Sequence, residues 1–219
     1  MVNVYRVLLL GVLSLGVTGS IYAAKPIDLN HQSSAVLDSL LPARHVVLDA
    51  TGPRHPSESS SLIQVSQETD ANNTTHIRIQ QTYSGYPVWG TNAVIHVSNA
   101  GKTTLRSLSA SHKPMTMNGV VYQDLAGDLA NTPGYVFSSA QADKAQQQAL
   151  QRYQNKAGVL GHITSEPSSL LVYVDRNNQA RWVFHVRFYV KPSKGMPKRM
   201  NYLLDAVSFD TVRDRKSVV

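Results

Sequence analysis

The sequence of 219 residues contains no cysteine. That excludes disulfide staples, a thiol nucleophile, iron–sulfur clusters and every zinc site built on thiolate. Metal chemistry is left to eight histidines and fourteen carboxylates. Acidic residues are outnumbered by the Lys and Arg total of 21, which leaves a formal charge of +7. No apolar run reaches the ~20 residues that a membrane-crossing helix needs. With 42% hydrophobic and 16% charged residues, the composition is globular, too apolar for a disordered tail and too polar for a membrane protein.

Catalytic motifs are also missing. There is no H-E-x-x-H, no G-x-S-x-G, no G-x-x-x-x-G-K-[ST] and no Rossmann glycine fingerprint. No histidine pair has helical ligand spacing. His76, His96 and His185 fall on predicted strands and could meet in space, but without local spacing they are expected to be ordinary sheet histidines rather than a zinc triad. No residue is therefore assigned as catalytic or metal-binding, and the chain as given is not expected to be an enzyme.

What is present begins with an export signal. Arg6 and the amino terminus supply positive charge, Val7 to Val17 is apolar and small apart from one Ser, and Gly19, Ser20 and Ala23 follow. This pattern predicts a signal peptide over residues 1–23, cut after Ala23. Cutting after Ala24 would put bulky Tyr22 at the third position back. Loss of Arg6 takes the charge from +7 to +6. The product is expected to be secreted or periplasmic, with no stable membrane anchor. Its basic residues are scattered singly, apart from Lys191, Lys194, Lys198 and Arg199. No RNA-binding aromatic motif, zinc finger or helix-turn-helix accompanies them, so a solvated positive face is expected and nucleic acid is not.

Apolar spacing predicts a helix over Ser33–Leu41, stopped by Pro42, a strand at His45–Asp49 and a loop over Thr51–Ser61. A period of two predicts strands at Leu62–Glu68, His76–Tyr83, Val94–Ser98 and Thr103–Leu108, with turns at Asp70–Asn73, Ser84–Gly85 and Asn99–Lys102. His112–Gly134 loses this alternation and is expected to connect two halves. Ser138 with Gln141 fits a capping box that opens a helix running to Gly158, with an apolar stripe of Ala142, Ala145, Ala149, Leu150 and Tyr153. Strands are expected at Ser169–Asp175, Arg181–Val190 and Arg199–Phe209. The fold class is α+β in two small units, each a helix packed on an antiparallel sheet.

One segment is unusually patterned, from Gln80 to Gly90. Gly85 suits a positive-φ turn, and Tyr83, Val88 and Trp89 are expected to fill the core. From His76 through Gly90, and on into Ala93–Val97, the chain closely resembles the fungalysin/thermolysin propeptide domain. Its second half, with Leu170–Val174, Arg181–Val186 and Tyr202–Ala206, resembles the PepSY domain that follows it in secreted thermolysin-like zinc metallopeptidases. The resemblance implies a folding assistant and inhibitor whose partner is the cognate protease catalytic domain. It implies no cofactor in this chain; zinc, with calcium as a further ion, would belong to the protease domain. Gln81, Tyr83, Gly85, Pro87, Val88, Trp89 and Gly90 are the motif residues it singles out, as structural or protease-contacting groups.

The expected division is a signal peptide at 1–23, a propeptide-like domain at 24–112, a linker at 113–137 and a PepSY-like domain at 138–213. Residues 214–219, Asp-Arg-Lys-Ser-Val-Val, match the in-frame translation of a common sequencing-adapter read and are expected to be an artefactual tail of a gene that continues. Without that tail the exported charge would fall from +6 to +5. The alternative reading is a free-standing exported PepSY-type protease-inhibitory or binding protein.

Overall fold

A computed structural model describes residues 23–33, 35–40, 60–98, 103, 105–109, 115–129, 138–157 and 161–218. Residues 1–22 of the predicted signal peptide, the His45–Asp49 strand and most of the Thr51–Ser61 loop lie outside them. Among the described residues, β1 (Lys25–Asp28) leads through a 3-10 turn (Leu29–His31) into α1 (Ala35–Leu40), inside the predicted first helix.

A meander follows: β2 (Ser60–Thr69), β3 (Thr74–Tyr83) and β4 (Tyr86–Ser98). All three are longer than the alternation predicted. Asp70 makes the β2–β3 turn, accepting hydrogen bonds from the Asn72 and Thr74 amides at 2.9 Å each. Ile77, Ile79, Ala93, Ile95 and Val97 face inward, forming one core with Leu37, Leu62, Leu105 and Leu108. The strand expected over Thr103–Leu108 is instead a helix, α2 (Leu105–Ser109). Leu105 and Leu108 are both buried; three residues apart, they share a helix face but would sit on opposite faces of a strand.

The connecting stretch contains β5 (Met115–Asn118), β6 (Val120–Gln123) and α3 (Leu125–Leu129). β5 pairs with β4, while β6 pairs with β1 in a separate two-stranded sheet. Helix α4 (Ser139–Ala157) opens as the capping box predicts, with the Gln141 amide donating to Ser138 Oγ at 3.2 Å. Its Ala142, Ala145, Ala149 and Tyr153 are buried, and Leu150 is partly so.

Four strands after α4 complete the chain's second half in long antiparallel pairings: β8 (Ser169–Val174), β9 (Ala180–Pro192), β10 (Lys198–Asp205) and β11 (Thr211–Val218). The strand predicted to run to Phe209 ends at Asp205, where a turn with Phe209 at φ 61° reverses the chain into β11. A short β7 (Gly161–Ser165), not anticipated, pairs with the far end of β9. Even-numbered residues of β9 and β10, among them Phe184, Phe188, Tyr202 and Leu204, share one core with the α4 stripe. Tyr153 meets Phe188 edge-on at 5.5 Å.

The architecture is α+β and mostly strand. Strands from both halves join one nine-stranded sheet in the order β11-β10-β9-β8-β4-β3-β2, with β5 and β7 off that path. The halves meet where β4 runs parallel to β8, at Val88 opposite Val172.

Candidate functional site

The patterned segment occupies that junction. Ser84 at φ 49° and Gly85 at φ 81° are the two central residues of a tight hairpin turn, the positive-φ pair that matches strand twist. Tyr83 and Tyr86 pair across it. Both pack against Trp182 of β9, with ring centroids at 6.0 and 5.4 Å. The two residues that flank the turn are therefore packed on one aromatic side chain of the second half, while Gly85 at the tip stays exposed.

Beyond the tip the ladder is interrupted. Gln80 opposes Asn92 and Thr82 opposes Pro87, so Val88 to Thr91 on β4 face Gln81 alone. The surplus length lets β4 leave β3 and reach β8. Gly90 turns this corner at φ 83°, a conformation that costs a side-chain-bearing residue more than glycine. Thr91 closes the gap by donating its hydroxyl to Val88 O at 2.8 Å and accepting the Gln81 amide at 3.3 Å.

Gln81, which loses a β4 partner at the bulge but keeps Leu62 of β2 opposite it, is fully buried. Its Nε2 donates to Tyr122 O at 2.6 Å and to Ser60 Oγ at 3.2 Å, and its Oε1 accepts the Tyr122 amide at 2.8 Å. The side chain thus replaces a strand for β6 and ties the small sheet to the large one. Sequence alternation gave no sign of this, because the partner lies 41 residues away.

Val88 is buried in the α4-side core, but Trp89 is not a core filler there. Period-two geometry turns it to the opposite face, where the half-buried indole meets His185 edge-on at 4.8 Å. Leu171, Val183 and Leu203 form a separate buried cluster, with Trp89, Tyr173 and Val212 packed on it. Arginines frame this face. Arg187 and Arg199 share Glu166 at 2.9 and 3.6 Å, and Arg181 holds Asp175 at 2.7 Å. The Nε atoms of Arg181, Arg187 and Arg199 are buried without a hydrogen-bond partner. An open groove of about 780 Å³ runs past Trp89, Tyr173, Arg181, Val212 and Arg213. Pro87, Gly85 and Gly90 are exposed beside it or on the hairpin.

Of the three histidines predicted to lie on strands, two come together. His76 and His96 are cross-strand partners, with Nδ1 atoms 2.7 Å apart. Asp70 takes His76 Nε2 at 3.0 Å, and the Asn118 side chain meets His96 Nε2 at 3.1 Å. Burial, then the neighbouring His76 charge, pushes the His96 pKa down. Burial is also the main cause lowering His185, which sits apart against Trp89. Among the described residues, no group of three or more His, Asp or Glu side chains is placed to hold a metal ion. No described helix is long and apolar enough to cross a membrane.

Residues 60–107 match the fungalysin/thermolysin propeptide motif, covering β2 to β4 and the start of α2. The zinc metalloproteinase MspA of Legionella longbeachae is 34% identical over 93% of this chain and 35% of its own length. A zinc metalloproteinase of Legionella pneumophila is 29% identical over 98% of this chain and 38% of its own length. The neutral protease of Vibrio proteolyticus is 29% identical over 59% and 19%. This chain thus spans little more than a third of the first two relatives. Among solved structures, the Bacillus megaterium YpeB C-terminal domain aligns with 71% of this chain and 56% of its own, at 10% identity and a TM-score of 0.29.

Proposed function

Because residues 60–107 are a fungalysin/thermolysin propeptide motif and the chain is similar along most of its length to zinc metalloproteinases, we propose that it acts as the propeptide region of an exported thermolysin-like zinc metalloendopeptidase. In this reading it assists folding of the protease domain, keeps that domain inactive and has no catalytic role of its own. A template of this kind matters when a large domain folds slowly. Zinc, with calcium beside it, belongs to the protease domain.

The chain is organised as two units, 24–112 and a PepSY-like 138–213, joined by 113–137 and sharing strand β4. Burial divides the motif residues between two roles. Gln81, Tyr83 and Val88 are enclosed and build the junction, whereas Gly85, Pro87, Trp89 and Gly90 keep exposed surface for the protease. The Trp89 face supports this division: it combines an aromatic anchor with arginines, residue types favoured at protein interfaces.

The test is inhibition in trans. The folded chain, added to the mature protease domain of its own precursor, is expected to slow peptide cleavage in a saturable manner. Undiminished cleavage at a large molar excess of folded chain overturns the inhibitory role.

A further inference from the structure

Asp128, on α3, has a carboxylate oxygen that accepts two backbone N–H groups from distant parts of the chain. Oδ2 takes the Ala180 amide at 2.7 Å, at the first residue of β9, and the Ala24 amide at 3.1 Å, just before β1. Ala24 is buried in the same core as Leu125 and Leu129 of α3, while Ala23 is exposed. Immediately afterwards Lys25 enters β1 opposite Gln123. The Ala23–Ala24 bond therefore marks a sharp boundary. Ala24 is built into the core and β1 follows it directly, and the nitrogen of Ala24 points at a carboxylate.

We infer that hydrolysis of the Ala23–Ala24 bond makes the α-ammonium group of Ala24 the partner of Asp128, and that this ion pair latches the mature amino terminus into the protein. The inference rests on the reading that residues 1–23 are removed on export. In the cleavage, water adds its hydroxyl to the Ala23 carbonyl and its other proton to the departing nitrogen as the C–N bond breaks, and the proton of the new Ala23 carboxyl group converts the Ala24 amine to an ammonium, leaving Ala23 as a carboxylate. One neutral amide donor becomes a cation with three donors, at a nitrogen already within hydrogen-bond distance of the carboxylate. Charge-assisted hydrogen bonds are shorter and roughly twice as strong as neutral ones. Asp128 would then hold the new terminus and the start of β9 through one side chain.

The inference also separates the two cut sites open to the sequence. Cutting after Ala24 would remove both the buried methyl group and the Asp128 donor, and would start the chain at Lys25, already inside β1. A residue left ahead of Ala24 would keep an amide there and move the positive charge away.

The experiment begins with export of the full precursor and an intact-mass measurement of the product. Next, four purified proteins are compared by thermal unfolding: the chain starting at Ala24, the same chain with one Gly ahead of Ala24, and each of these two carrying Asp128→Asn. A mature chain that starts at Ala24 and melts about 4 °C or more above its Gly-extended form is expected. Asp128→Asn should erase most of that difference. Far-ultraviolet circular dichroism confirms that the compared proteins are folded, and Asp128→Glu, which keeps the charge, should restore part of the gap if the Asn protein folds poorly. A product that starts elsewhere overturns the latch while leaving export intact. An unprocessed precursor overturns the export reading itself. A correct start at Ala24 with equal melting of the Gly-extended chain overturns the latch alone.

Discussion

Gln81 makes to Tyr122 the two hydrogen bonds that a neighbouring strand would make, from inside the protein. Gln81→Ala would leave both backbone groups of Tyr122 without that partner at a part-buried position. A cost of about 2–4 kcal/mol is expected, since each buried unsatisfied group costs about 1–3 kcal/mol. Urea unfolding measures it directly; a loss below about 0.5 kcal/mol would refute the bridging role. Histidine protonation acts at the same scale. His96 and His185 both have lowered pKa values in the folded chain, chiefly from burial, so the unfolded chain binds their protons first as pH falls. Their contribution is fully present above about pH 6.5 and is lost as pH falls through the folded values. Asp70, held below its ordinary pKa first by the Thr74 amide and then by His76, gives way only in stronger acid. The urea midpoint should therefore drop between pH 7 and pH 5, and His96→Gln should flatten part of that slope. A midpoint that rises on acidification would contradict the assignment. The sequence placed His76 and His96 on strands and Gly85 in a turn, but it gave no means of pairing the two imidazoles across a register.

At the scale of elements, legibility followed the length and regularity of the burial pattern. β3 and α4 were readable because buried residues recur at periods of two and three to four along most of each segment. β1, β6 and β7, of four or five residues, carry too few repeats to stand out. α2 was misread because its five residues contain one apolar pair, whose spacing of three is the sole helical mark. The helix α4 offers a test of what was read correctly. Ser138 caps it through the Gln141 amide, so Ser138→Ala should cost about 1 kcal/mol in chemical unfolding. Gln141→Ala should cost less, because the Ser138 hydroxyl still serves the amide of residue 141. The reverse order would show that the helix start is set by something other than the cap.

The molecule as a whole turns on β4. Its later residues pair with β3 and β5, while its bulged beginning lies beside β8. Composition and spacing suggested two units, and the loss of alternation after His112 suggested where they separate. What local pattern could not convey is that residues quoted for a family motif are also the seam: Tyr83, Tyr86 and Val88 belong to the first half by sequence and pack in the core of the second. A seam of this kind predicts mutual dependence. Made alone, residues 24–129 would expose Tyr83, Tyr86 and Val88 to water and lose the Ala180 amide from Asp128. Such a fragment is expected to unfold over a broader urea range than the full chain and to bind a hydrophobic dye that the full chain excludes. The full chain is expected to unfold in one transition, with tryptophan fluorescence, which reports Trp89 and Trp182 at the seam, coinciding with far-ultraviolet circular dichroism. Two separated transitions, or a fragment as cooperative as the whole, would mean that β4 connects the halves without coupling them. The consequence reaches the proposed function, because a face built from Trp89 on one side of the seam and Leu171, Val183 and Leu203 on the other keeps its shape only while both halves are folded.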